Sequence, residues 1–390
     1  MKILQVTNFF KPSFEAGGVS KVAYDVSRSL VKNNHEVTIF TTNRSEIDIN
    51  VKVNRPLNVE GMKVYYFDNL RKYFPVKMIP IPYYLPIIAR KEIQNFDVIH
   101  IHEHRTLLAI VVHYYAKKHN IPYVLQAHGS VLPFLQKQKF KTFFDIIFGY
   151  NILKDASRVI ALNETEALQY QKMGVNPHKI EIIPNGIDIS DYINVPKKGT
   201  FRAKNSISEK GKIVLYVGRM HRNKGIDLLV HSYSILVKDM PDSKLVFMGP
   251  DDGFRDELER LCEKLNIREH VLFTGFVDSE TKMAALSDSD IFVTPSFSGF
   301  PMGFLEACFF GLPIVTTDNG DNLSWINGKV GYVVSYDEKE LSKAMLNVLN
   351  DDSSRTRFSN EAKNLIETAF SMDAIMKKID MVYRNTYQSR

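Results

Sequence analysis

Arg219 and Lys224 stand close together between an apolar run, Ile213–Val217, and a helical pattern that begins at Ile226. Arginine offers a planar pair of donors to phosphate oxygens and lysine a mobile point charge, so together they suit a diphosphate. Gly218 and Gly225 bracket them, which a merely solvated basic loop would not need. Further on, the Gly/Pro-rich stretch Pro295–Pro301 leads into an apolar helix with Glu306 in its early turns. A carboxylate there complements the helix dipole; beside two cations it is also placed to bind a vicinal diol such as that of ribose. Val277 ends another strand, with Lys282 one helical turn beyond. In the first half, Gly17-Gly18 lies between a strand and a helix, where bare N–H groups attract anions. The loop lacks the spaced third glycine of a dinucleotide fingerprint, which disfavours a nicotinamide oxidoreductase. His128 follows the apolar run Tyr123–Leu125, at a strand end where such sheets bind ligands. His100, His102 and His104 alternate, so their imidazoles are expected on one strand face. Zinc there would need a fourth ligand, and both cysteines are distant, so no metal site is expected.

These residues depend on elements that place them at strand ends. Strand-length apolar runs recur at Ile3–Val6, Val37–Phe40, Val64–Phe67, Val98–Ile101, Tyr123–Leu125 and Val159–Ala161. A second set follows at Ile213–Val217, Leu245–Met248, Val271–Phe273, Ile291–Val293 and Ile314–Thr316. Val19, Val22, Ala23, Val26 and Leu30 share one helical face, as do Ile226, Leu229, Val230, Tyr233, Leu236 and Val237. Asn163 with Glu166 reads as a capping box opening another helix. Apolar strands alternating with helices imply parallel sheets covered on both faces. The pattern lapses between about Ser190 and Lys212, a polar, Lys-rich stretch expected to be a linker. The expected organisation is residues 1–190, a linker at 191–212, a second domain at 213–370, and a closing helix. That helix, near Ala362–Tyr387, could end the second domain or let residues 371–390 cross back to the first. Two doubly wound domains of this kind are expected to face a shared crevice.

The chain has 390 residues, 44% hydrophobic and 24% charged, which excludes disordered, collagenous and disulfide-stapled proteins. Two cysteines, Cys262 and Cys308, imply a reducing compartment. The net charge of +6 divides unevenly. Residues 1–200 hold 26 Lys and Arg against 17 Asp and Glu, and residues 201–390 hold 24 against 27. No signal peptide is recognisable, and the longest apolar stretches are about half the ~20 residues of a membrane span. A cytoplasmic protein is expected. The segments Leu70–Met78 and Phe134–Phe144 interleave basic and aromatic residues, which suits an anionic membrane surface or a lipid-diphosphate acceptor. No nucleic-acid motif accompanies them.

Taken in order, Gly17-Gly18, His128, Ile183–Asp188, Gly218-Arg219, Lys224-Gly225 and Gly299-Phe300-Pro301 through Glu306-Ala307 resemble glycosyltransferase family 4. The likeness runs from about residue 1 to residue 335. It implies the GT-B fold and retaining transfer of a hexose-type sugar from a nucleotide diphosphate sugar to a hydroxyl. The acceptor it implies is a lipid-linked surface glycan held by the N-terminal domain. Arg219 and Lys224 would hold the diphosphate and Glu306 the ribose hydroxyls. Backbone N–H groups from Gly299 to Met302 would grip the sugar, and Gly225 would join Arg219 and Lys224 in binding the donor. Val277 would lie against the base with Lys282 nearby. Gly17 and Gly18 would approach phosphate or sugar, and His128 would hydrogen-bond the sugar. Cations and helix dipole replace a divalent metal in this family, so no cofactor is implied.

One position departs from the family. Glu306 has a glutamate partner eight positions earlier in the family pattern, and here Ser298 stands there. Serine can exchange a hydrogen bond but supplies no charge to an oxocarbenium-like transition state. Survival of Arg219, Lys224 and Glu306 favours an active enzyme. A nucleotide-sugar epimerase or hydrolase of the same fold, and a non-catalytic sugar-nucleotide-binding partner, stay open as alternatives.

Overall fold

The computed structural model describes residues 1–13, 18–43, 53–69, 80–133, 138–296, 300–318 and 320–390. The chain forms two compact units: Met1–Gly186 joined by Met372–Arg390, and Ile187–Ser371. Among the described residues the first unit holds strands β1 (Lys2–Val6), β2 (Glu36–Thr42), β3 (Pro56–Val59), β4 (Met62–Phe67), β5 (Val98–His102), β6 (Tyr123–Gln126), β7 (Arg158–Ala161) and β8 (Ile180–Ile182). They lie in the order β3-β4-β2-β1-β5-β6-β7-β8, parallel except for the β3–β4 pair. The second unit holds β9 (Ile213–Val217), β10 (Lys244–Met248), β11 (Val271–Gly275), β12 (Ile291–Thr294), β13 (Ile314–Thr317) and β14 (Gly331–Val334). Its order is β11-β10-β9-β12-β13-β14, wholly parallel. The strand order reverses beside β9, and loops leaving the carboxyl ends of β9 and β12 part there to opposite sides. That is where doubly wound sheets open to ligands.

Helices cover the sheets as the periodicities predict. In the helix Gly18–Lys32, Val22, Ala23, Val26 and Leu30 are buried. In Ile226–Asp239 all six predicted face residues are buried. Burying such side chains contributes roughly 1.5–3 kcal/mol each before conformational entropy is subtracted. Asn163 caps the helix Glu164–Lys172 by accepting from the Glu166 amide at 2.8 Å. The Glu166 carboxylate does not return to Asn163; it takes the Leu162 and Gly129 amides, each at 2.6 Å.

Two expectations are corrected. The stretch 191–212 is not a free linker. Helix Thr200–Lys204 runs through it, and the Phe201 side chain is buried in the second unit. The buried Asp288 carboxylate accepts the Gly199, Phe201 and Arg202 amides at 2.5, 2.8 and 3.0 Å. The Arg202 guanidinium reaches Asp290 at 3.0 Å. The closing helix is also not continuous. Helix Asp352–Leu365 passes through a wide π turn to Phe370, and extended Ser371 breaks it (φ −62°, ψ 145°). Helix Met372–Gln388 then belongs to the first unit, buried through Ile375, Ile379, Val382 and Tyr383.

Candidate active site

In the second unit, β9 ends in a backbone packed tightly against β10. The Gly218 amide bonds the Met248 carbonyl at 2.9 Å, and a Cβ on Gly249 (φ +140°) would lie 2.2 Å from the Gly218 carbonyl oxygen. Arg219 follows, exposed, with Nη1 3.3 Å from the Asp252 carboxylate. The chain then makes a 3-10 turn, Arg222–Lys224, in which His221 Nδ1 accepts from the Asn223 amide at 3.1 Å. Gly225 closes it at φ +62°, and a Cβ there would sit 2.8 Å from the Tyr336 hydroxyl and 3.3 Å from Pro295 Cβ. Glycine is therefore required by both conformation and space. The same contact brings the β9 loop against Pro295, the residue that follows β12.

Lys224 is the unusual charge of this loop. Its ammonium has no hydrogen-bond or ion-pair partner among the described residues. Burial, and then the nearby Arg219 guanidinium, hold its pKa below the ordinary lysine value. A desolvated cation without a carboxylate is in want of an anion.

The loop after β12 enters the helix Met302–Phe309 through Pro301, which supplies no side-chain cap, so the first amides depend on other acceptors. Phe300 is buried, stacked 5.3 Å from Trp325 and tilted against Phe370 at 5.3 Å. Its side chain is thus an anchor, and only its backbone is available to a ligand. Glu306 is buried, and its Oε1 accepts from Lys282 Nζ at 2.6 Å and from the Tyr192 hydroxyl at 3.0 Å. Lys282 comes from the helix Ser279–Asp288, capped by Asp278; Val277 lies half-buried just before it. Oε2 of Glu306 has no partner among the described residues. The carboxylate is therefore held by one oxygen and offers the other.

This pairing differs from the sequence reading, which set Glu306 beside Arg219 and Lys224. The acid facing Arg219 is Asp252, and the cation on Glu306 is Lys282. Tyr192 was hidden because it falls in the expected linker; rings of Phe309 (4.8 Å) and Phe310 (6.0 Å) wedge it in place. Gly17, Ser298 and Gly299 lie outside the described residues.

In the first unit, Gly18 opens the helix Gly18–Lys32 beyond β1. His128 follows β6 in the left-handed region (φ 53°), with Gly129 next at φ 80°. The Glu166 carboxylate grips the Gly129 amide and so pins this turn. The three alternating histidines do not share a face. The His100 and His102 rings lie 4.2 Å apart, tilted by 31°, but Glu103 takes φ 70° and turns His104 away, to 3.6 Å from Asp145. His102 uses Nδ1 toward His128 Nε2 (2.8 Å) and Nε2 toward Gln5 Oε1 (2.8 Å). Burial lowers the pKa values of His100 and His128 to about 3, with nearby His128 adding to the effect on His100. It drives His102 well below the usual value too. Burial also lifts the Glu103 carboxyl to about 7, against a hydrogen bond from Asn8. Among the described residues no group of three His, Cys, Asp or Glu is spaced to hold a metal ion.

The chain thus has two α/β units built on mainly parallel sheets, and the second carries a cationic loop and a buried carboxylate beyond its strand ends. Residues 16–191 match the profile of Glycosyltransferase Family 4, and residues 197–365 that of Glycosyl transferases group 1. The chain belongs to this family of glycosyltransferases. It is 27% identical to an uncharacterized glycosyltransferase of Methanocaldococcus jannaschii, covering 98% of each chain. It is 25% identical to the UDP-Gal:alpha-D-GlcNAc-diphosphoundecaprenol alpha-1,3-galactosyltransferase of Escherichia coli, covering 74% of each. The fold is GT-B: it superposes on Anabaena HepE, solved with UDP and glucose, at TM-score 0.79 and 18% identity, over 99% of this chain and 100% of that one.

Proposed function

We propose that this glycosyltransferase moves a hexose-type sugar from a nucleotide diphosphate sugar to a hydroxyl of a lipid-linked surface glycan, with retention of configuration. The observation that carries the donor reading is the half-buried Lys224 ammonium beside Arg219, which has no partner among the described residues. In this reading both cations bind the diphosphate and stabilise the charge that grows on it as the glycosidic bond lengthens. Glu306 takes the ribose hydroxyls through Oε2, Val277 and Lys282 border the base, and the backbone from Gly299 through Phe300 and Pro301 to Met302 receives the sugar. Gly18 would approach the phosphate or the sugar. His128 accepts a hydrogen bond from a sugar hydroxyl. The acceptor attacks from the face that the diphosphate leaves, and a diphosphate oxygen takes its proton. Arg219 and Lys224 supply the positive charge, so no divalent ion is needed. Ser298 offers a hydroxyl where the family resemblance has a carboxylate.

The test is a thermal-shift panel of UDP-, GDP- and ADP-sugars, followed by turnover in EDTA with the product anomer read by NMR. A ligand of the folded state raises its melting temperature by mass action. One donor class should stabilise the protein and give a retained linkage. Inversion, or no turnover with any donor and no shift, overturns the proposal; free sugar formed at full rate without acceptor indicates a hydrolase.

The acceptor half of the reading rests on the first unit's surface. Counted over the two units, 28 Lys and Arg face 17 Asp and Glu in the first, against 22 and 27 in the second. Helix Gln138–Phe144 has no buried residue, and Phe140, Phe143, Ile146, Ile147, Phe148 and Tyr150 are exposed along it and the turns that follow. Asp145, buried between Arg105 and His104, ties the segment down with that apolar side outward. Lysines 139 and 141 flank it. Apolar groups with basic neighbours suit partial insertion among anionic headgroups. Segment 70–79 and residues 134–137 lie outside the described residues. Among the described residues no helix is long and apolar enough to cross a membrane. The proposal is therefore peripheral attachment to the cytoplasmic face, where a diphospholipid acceptor of the kind named for the E. coli relative would lie. Flotation with phosphatidylcholine vesicles should require added phosphatidylglycerol. Replacing Phe143 and Ile146 with serine should weaken binding roughly tenfold or more. Equal flotation by the double variant, or none by the wild type at low salt, would remove this half.

A further inference from the structure

The buried polar groups behind His128 form a directed chain drawn from four elements of the first unit. Gln5 lies on β1, His100 and His102 on β5, His128 after β6, and Tyr383 on the closing helix Met372–Gln388. Gln5, His100, His102 and Tyr383 are all within 1% of complete burial. Gln5 Nε2 donates to the Tyr383 hydroxyl at 3.1 Å, and that hydroxyl lies 2.6 Å from His100 Nδ1. Gln5 Oε1 faces His102 Nε2 at 2.8 Å, and His102 Nδ1 faces His128 Nε2 at 2.8 Å.

The proton count follows from the Gln5 amide as the structure orients it, Nε2 toward Tyr383 and Oε1 toward His102; the flipped amide would reverse each bond. Tyr383 accepts from Gln5 and turns its single proton to His100 Nδ1, since that buried proton would otherwise have no acceptor. The Gln5 amide oxygen that faces His102 only accepts. His102 therefore carries its proton on Nε2. A neutral imidazole has one proton, so His102 Nδ1 is bare and must accept from His128 Nε2–H. His128 is left with Nδ1 bare at the strand end. The chain's remaining open atom is His100 Nε2, at the buried far end.

We propose that Tyr383, Gln5 and His102 are positioning residues that lock His128 in the tautomer protonated at Nε2, so that Nδ1 is presented as a hydrogen-bond acceptor. This rests on the reading of His128 as a contact of the donor sugar. The C-terminal helix thereby sets the chemistry of a residue far away in sequence. Left alone, both neutral tautomers are accessible, and the wrong one would offer a donor to a hydroxyl that must then turn around.

Full-length protein labelled at histidine with ¹⁵N tests this directly. Wild-type His128 should show a protonated Nε2 and an unprotonated Nδ1 at neutral pH. Gln5→Leu, which removes the acceptor for His102, should mix the His128 tautomers and raise donor KM about tenfold, the worth of one neutral hydrogen bond. Tyr383→Phe, which frees the Gln5 amide to flip, should do the same to a lesser extent. Gln5→Glu keeps an acceptor toward His102 and should retain the wild-type ¹⁵N pattern. A wild-type His128 protonated at Nδ1, or a pattern unchanged in both Gln5→Leu and Tyr383→Phe, overturns the lock. If the pattern shifts but His128→Ala leaves donor kinetics untouched, the lock stands and the donor-contact reading of His128 fails instead.

Discussion

Replacing Lys224 with alanine is expected to cut kcat by about 10³-fold, at the upper end of what removing one preorganised charge-stabilising donor costs. The size follows from the surroundings. The ammonium is partly desolvated and meets no carboxylate among the described residues, so its field is not spent on a described protein partner. A phosphate that binds there gains more than it would from a surface lysine already paired. Arg219 is the contrasting case: exposed and shared with Asp252, it is expected to cost about tenfold less on truncation. The two also differ in pH dependence. Binding needs the charged ammonium, and its pKa in the free protein lies below the ordinary lysine value, first through burial and then through Arg219. As pH rises through that lowered pKa the charge is lost, so kcat/KM should fall on the alkaline side earlier than an ordinary lysine would allow. Arg219→Ala should move this limb upward, and Lys224→Arg should abolish it, because arginine does not titrate there. A pH profile whose alkaline limb is unchanged in Lys224→Arg assigns that limb to another group and refutes the argument.

Much of the scaffold was legible because central strands and amphipathic helices announce themselves in apolar periodicity. All eleven predicted strands are present, within two residues at each end. The three unpredicted ones, β3, β8 and β14, all lie at sheet edges. An edge strand is short and partly solvated, so its run is broken by residues such as Pro56, Glu181 and Gly331. The misread linker has a different cause. Its Lys-rich composition resembles a tether, but Asp288, Asp290 and Arg202 fix it through bonds spanning more than 80 residues of sequence. No local pattern contains that information. The closing helix misled for the opposite reason: periodicity continued across Ser371 while the backbone did not.

The site divides along the same line. Glycine-bracketed cations and a helix-start carboxylate were visible because they depend on local loop chemistry. Which acid meets which cation was not, since Lys282 and Tyr192 reach Glu306 from 24 and 114 residues away. The histidine alternation predicted one shared face, and a single left-handed residue, Glu103, undid it.

That pairing makes Glu306 the source of the second large expected effect. Truncation to alanine should lower kcat/KM by about 10²–10³-fold, since each hydrogen bond to a charged acceptor is worth about 1.5–3 kcal/mol. Lys282 and Tyr192 hold Oε1, so the carboxylate is oriented before any ligand arrives, and Oε2 alone is left to accept. Removing the side chain also strands the Lys282 ammonium, which adds a local cost that a thermal melt would read separately. A ribose-specific role has its own signature. The wild type should discriminate strongly between a nucleotide sugar and its 2′-deoxy or 3′-deoxy analogue, and Glu306→Ala should treat them alike. Tyr192→Phe should retain most of that discrimination while raising donor KM about tenfold, because it loosens the carboxylate without removing it. Binding can be followed without turnover through Trp325, the only tryptophan, whose ring stacks on Phe300 at the entry to the Glu306 helix. If deoxy donors and their parents are discriminated equally by wild type and Glu306→Ala, the carboxylate is structural, and its bond to Lys282 is an ordinary part of the packing between two helices.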